Sequence, residues 1–175
     1  VHFMNIKLIL ILLFSFLLEL HADEISSWGE LLKKGDTYFK KSDNKPFTGV
    51  LRNFYPSGEI SLIDHFKEGK QHGEFKSFHK NGKISMRGNF FEGKQNGDWY
   101  EYYDNGALYW KLNYKNGVKK DGLFEMFHKS GKLKSKVFYK DNKPNTNWLY
   151  FDENGKKIRE DIYKDGKFFY EKYFD

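Results

Sequence analysis

From residue 49 onward, large apolar and polar side chains alternate in short runs, and the pattern returns every 24 residues. Residues 73–92 read GEFKSFHKNGKISMRGNFFE, and residues 97–116 read GDWYEYYDNGALYWKLNYKN. In each unit a first run of six or seven residues, such as EFKSFH or DWYEYY, leads into a turn and then a second alternating run. An alternation of period two sends successive side chains to opposite faces of a strand. Leu108, Trp110, Leu112 and Tyr114 are therefore expected on one face, and Tyr109, Lys111 and Asn113 on the other. The pattern predicts two strands and two turns per unit.

Glycine marks the same period. Gly49, Gly73, Gly97 and Gly122 open the units, with Thr146 in the fifth, and Gly58, Gly82, Gly106, Gly131 and Gly155 fall at their centres. A third column holds Gly69, Gly93, Gly117, Asn142 and Gly166. All three columns step by 24 residues, with a single 25-residue step between the third and fourth unit, so glycine here punctuates a repeat. The central turns, such as Lys80-Asn81-Gly82, are expected as two-residue hairpin turns, which need positive φ. The predicted fold is all-β, an elongated single-layer antiparallel meander of about five 24-residue hairpin repeats. Phe75, Trp99, Phe124 and Trp148 would stack as one aromatic column, and Phe66, Phe90, Tyr114, Tyr139 and Tyr163 as another.

Residues 23–48 do not match the unit and are expected to cap it. Ser27 with Glu30 fits a capping box for one or two helical turns ending at Gly35, and equally residues 30–41 fit a hairpin turning at Gly35-Asp36. The hairpin is preferred, because an N-terminal strand would cover the raw edge of the sheet. The last unit departs from the pattern, with Lys157, Arg159 and Asp161 at apolar positions, as a polar terminal cap would.

Composition sharpens this picture. Aromatic residues make up 19% of the chain, which suits strands, and the absence of cysteine excludes disulfides and thiolate metal sites. Residues 1–22 read as a signal peptide starting at Met4: a short basic segment, an apolar run over residues 8–18, and a cleavage site at Leu20-His21-Ala22. A run of eleven residues falls short of the roughly 20 that span a bilayer, so export with cleavage is expected, to the periplasm, the outer envelope or the medium. The net charge of +6 is carried by lysines scattered along the chain without forming a block, which reads as a solvated surface.

The unit core, residues 97–106 with Leu108 and residues 114–117, resembles the bacterial variant of the MORN repeat. That variant occurs in antitoxins of the YwqK type and in exported proteins of unassigned role. Lys45-Pro46-Phe47-Thr48-Gly49 resembles the segment that introduces the first repeat in that family. The resemblance covers about residues 30–170 and implies the repeat architecture.

Candidate chemistry is sparse. His79 and His128 share a column with Tyr55 and Tyr103, but lie two units apart, roughly 19 Å, too far to share a metal ion. No serine has a fixed histidine and acid beside it, so neither catalysis nor a cofactor is expected. A second aromatic row, Phe54, Phe78, Tyr102, Phe127 and Phe151, has parity opposite to the main column and is flanked by lysines such as Lys76 and Lys111. This row is the candidate binding face. The expected function is an exported, non-enzymatic scaffold for a protein partner. The alternatives are attachment to anionic lipid or glycan in the envelope, and an antitoxin or immunity protein; no nucleic acid is expected.

Overall fold

The computed structural model describes residues 23–175. The signal peptide expected over residues 1–22 lies outside the described residues. Five antiparallel hairpins follow one another: Gly49–Phe54 with Ile60–Lys67, Lys70–Phe78 with Ile84–Phe91, Gly97–Tyr102 with Leu108–Lys115, Gly122–Phe127 with Leu133–Lys140, and Trp148–Phe151 with Lys157–Lys164. A last strand, Lys167–Tyr173, pairs with the fifth hairpin. Strands lie side by side in chain order, so the sheet is the all-β meander that the repeat predicts.

The last strand belongs to a sixth unit. Tyr173 pairs with Arg159 as Tyr150 pairs with Ser135, one unit earlier. By that register Glu171 stands where Trp148 stood, and the aromatic column ends on a charge.

The two kinds of turn differ, and the central one departs from expectation. Glu68-Gly69 has φ of 49° and 79°, the two positive values of a two-residue hairpin turn, closed by the pair Lys67 and Lys70. Asp141-Asn142 makes the same turn without glycine, at 52° and 58°, because asparagine tolerates the left-handed region. At the centre of the first unit only Gly58 has positive φ, Gly58 N–H bonds Tyr55 O, and Tyr55 N–H bonds Glu59 O. That is a three-residue loop ending in a left-handed glycine, repeated in all five units.

Every hairpin also carries one extra residue on its second strand: Ser61, Ser85, Tyr109, Lys134 and Ile158. This bulge corrects the expected parity of Leu108. Trp110 is opposite Glu101 and Leu108 is opposite Tyr102, so Leu108 lies on the face that Trp110 leaves.

The buried face holds Leu51, Phe66, Trp99 and Val137, all under a twentieth exposed. Trp99 lies over Gly88 of the preceding hairpin, where an added Cβ would be 2.2 Å from the indole. Ring contacts continue along this face, from Phe75 to Trp99 at 5.5 Å and from Phe124 to Trp148 at 5.9 Å.

At the N-terminus the preferred hairpin forms, the helical reading is reduced to a single 3-10 turn, and the edge is covered differently from expectation. Ser27 caps a short 3-10 turn, Trp28–Glu30, by accepting from Gly29 N–H. The hairpin Leu31–Lys34 with Thr37–Lys40 forms its own two-stranded sheet. Tyr38 and Phe47 of this segment pack on Phe66, with ring centroids at 5.3 and 5.4 Å. The raw edge is covered instead by Asp23–Ile25, which pairs parallel with Gly49, Val50 and Leu51. Three parallel rungs suffice because Ile25 is buried with Leu31, Phe47 and Leu51.

Candidate functional site

Strand alternation places Phe54, Phe78, Tyr102, Phe127 and Phe151 on the face opposite Leu51 and Trp99. Each sits at the last position of its strand, just before the central loop. Phe54 is 42% exposed and the other four are half-buried. The bulge sets Ile60, Ile84, Leu108 and Leu133 directly opposite the first four members of the row, giving each ring an apolar neighbour.

The expected flanking cations are present, and acids neutralise them. Lys76 pairs with Glu74 at 2.7 Å and Lys111 with Asp98 at 2.7 Å. Lys111 and Asn113 hold the Asp98 carboxyl below its usual range. Arg87 donates from Nε to Tyr102 Oη at 2.9 Å, and its guanidinium lies 4.4 Å from the centre of the Tyr100 ring. Lys136 lies 5.9 Å from the Phe151 ring centre. The row therefore presents apolar rings among cations that are already partnered, a surface suited to dehydrated contact more than to capture of a free anion.

Grooves open where successive hairpins diverge. The third and fourth hairpins pair only through Trp110 with Met126 and Lys111 with Glu125. Beyond these rungs lies a groove of about 250 Å³ lined by Leu108, Lys111, Leu123 and Phe127. A second groove of about 380 Å³, lined by Leu123, Phe138 and Leu149, lies between the fourth and fifth hairpins.

The histidine column has a role that sequence reasoning missed. Tyr55 Oη donates to the carbonyl of Phe78, and Tyr103 Oη to that of Phe127. His79 and His128 bond the carbonyls of Tyr102 and Phe151 through Nε2, at 2.8 and 2.9 Å. A carbonyl only accepts, so both imidazoles carry a proton on Nε2. These four side chains tie each hairpin to the backbone of the next, beneath the aromatic row. The shared spacing of Tyr55, His79, Tyr103 and His128 was the available signal: tyrosine and histidine both offer a ring-tip donor at a similar reach.

Comparison with known families places this geometry. The profile of the MORN repeat variant matches residues 71–91, 95–116, 120–141 and 145–165. No curated protein matches the chain. Among solved structures, the chain is similar to accessory secretory protein 1, 2 and 3 of Streptococcus pneumoniae, at 15% identity over 84% of this chain and 21% of that one. The TM-score is 0.23, too low to carry an argument, and the chain spans about a fifth of the length of that structure. With four tandem matches running from residue 71 to residue 165, one on each of the second to fifth hairpins, the chain belongs to the MORN repeat variant family.

Proposed function

We propose that this protein is an exported, non-enzymatic β-repeat scaffold that binds a protein partner along the row Phe54, Phe78, Tyr102, Phe127 and Phe151. The supporting observation is the concentration of exposed apolar side chains on that face. Phe54, Leu123 and Phe138, at 42%, 57% and 39% exposure, share the face with the row and with the two grooves. Rigid aromatic side chains beside shallow grooves provide large contact area at small entropic cost, as at the centres of protein interfaces. A repeat also offers the same contact at regular steps, which suits an extended partner. Export rests on the character of residues 1–22.

Quantitative pull-down with the full chain tests this reading against a Tyr102→Ala, Phe127→Ala double variant. Loss of the partner by tenfold or more is expected, with far-ultraviolet circular dichroism unchanged. A Lys80→Gln, Lys132→Gln control, on the central loops, is expected to retain it. A folded double variant that keeps every partner rules out the aromatic row as the binding face.

A further inference from the structure

The sheet has two long margins, each built from one kind of turn, and charge divides unequally between them. The central loops occupy 55–59, 79–83, 103–107, 128–132 and 152–156; the inter-strand turns occupy 67–70, 91–94, 115–120, 140–143 and 164–167. The second set reads KEGK, FEGK, KNGVKK, KDNK and KDGK, holding ten lysines and four acids. Its excess of six equals the net charge of the whole chain, +6. The central loops hold five lysines and four acids. Lysines dispersed along the sequence are thus gathered by the meander onto one margin.

Each margin holds one lysine–acid pair, and on the turn margin it is Lys70 with Glu92 at 3.4 Å. On the central loops Lys129 pairs with Asp104 at 2.9 Å, Lys83 donates to Asn105 O at 2.8 Å, and Ser130 bonds Glu153. On the other margin the first turn is covered by the N-terminal hairpin, whose Thr37 and Tyr38 lie against Gly69. Over the remaining four turns, every lysine except Lys119 is exposed, and none has an acidic partner within 4.0 Å among the described residues. Lys119 lies over the Tyr139 ring at 3.0 Å, and burial lowers its pKa.

The row is ordered. Gly93 N–H donates to Gln71 O at 2.9 Å and Gly117 N–H to Gln95 O at 2.8 Å, so turns are held in line by backbone bonds one unit apart. Lys94 lies against Gly117 of the next turn, and Lys143 against Gly166, so the amine stems run along the margin. Successive turns are two strand spacings apart, about 9.6 Å. Three of the five carry two lysines and one acid, a net of one positive charge each, while residues 91–94 carry none and residues 115–120 carry three.

From this geometry we infer that the turn margin from Lys94 to Lys167 is a binding site for a linear acidic polysaccharide. Such a polymer, with one carboxylate or sulfate per disaccharide, repeats its charge over the length of two sugar rings, which is close to the unit step. A nucleic-acid strand carries a phosphate about every 3.4 Å, far denser than the charge of the margin. A flat membrane fits poorly, because a sheet turns its margin by about 20–25° per strand, whereas a flexible chain follows that turn. The margin uses lysine and no arginine, so it supplies point charges rather than planar forks, and recognition is by charge spacing. Exposed Phe91 and Val118, at 51% and 55%, lie beside the amines and offer apolar contact to sugar rings.

The test measures binding of the full chain to a hyaluronan decasaccharide by isothermal titration at about 50 and about 200 mM salt. Binding at the lower salt that weakens at the higher is expected. Lys115→Gln, Lys140→Gln, Lys143→Gln and Lys164→Gln together are expected to weaken it tenfold or more. Lys80→Gln, Lys129→Gln, Lys132→Gln and Lys156→Gln, an equal loss of charge on the central loops, are expected to change it less than twofold. No binding at low salt, equal weakening by both variants, or preference for oligothymidylate or phosphatidylserine vesicles at equal charge each overturns the assignment.

Discussion

Asp64 carries the largest conflict between residue type and environment. It lies on the buried face, opposite Leu51 and Phe75, fully buried. Gln71 Nε2 donates to one oxygen at 2.5 Å, and the other oxygen has no partner. Burial pushes the carboxyl up to about 6, against smaller downward pulls from Gln71 and from His65. The folded state therefore holds this proton more tightly than the unfolded chain, whose aspartates titrate near 3.9. Its contribution to stability is fully present below pH about 4 and is lost as pH rises through 6, a change of about 3 kcal/mol. Asp64→Asn keeps the Gln71 bond and removes the titration. Denaturant unfolding is expected to show the variant more stable than the parent by about 2–3 kcal/mol at pH 7.5, with the difference vanishing near pH 4. An unchanged pH dependence in the variant would show that Asp64 is not the group responsible. In the sequence Asp64 shares its column with Gly88, Leu112, Val137 and Asp161, so its burial could be read only once the face was known.

At the scale of the hairpin, cohesion between units comes from side chains as much as from the backbone ladder. Where the third and fourth hairpins share only two rungs, Tyr103 adds a bond to the Phe127 carbonyl at 2.9 Å. Tyr103→Phe removes that bond and nothing else of the ring, at a cost of about 0.5–1.5 kcal/mol. Amide exchange should rise in the fourth hairpin, while Tyr109→Phe, whose hydroxyl makes no bond to a neighbouring hairpin, should leave it unchanged. Equal effects from the two would remove the ladder as a coupling device. The ladder ends at Asp152, whose carboxylate accepts from Asn154 and Lys156 and has no proton for the next unit. The strands and both turn positions were legible from alternation and glycine spacing. The bulge was hidden, because an extra residue leaves the alternation within each half of the strand intact and shows only in the pairing.

Across the whole molecule each hairpin touches mainly its neighbours, so stability is a chain of local interfaces. One end is closed by Ile25, Leu31 and Phe47, and at the other every residue of Lys167–Tyr173 is exposed. Hydrogen exchange is expected to be slowest around Trp99 and fastest in this last strand, and Trp148→Ala should speed exchange from residue 148 onward far more than in the first two hairpins. Uniform acceleration would mean that the array unfolds as one unit.

What the sequence determined was whatever depends on residues close along the chain: strand period, turn positions, the repeat, and the parity that puts Phe54, Phe78, Tyr102, Phe127 and Phe151 on one face. What only the tertiary structure decided was everything that depends on residues a full unit apart. The tyrosine and histidine ties, the burial of Asp64 and the lysine margin arise because the meander sets residues 24 positions apart side by side, a closeness that no local pattern encodes.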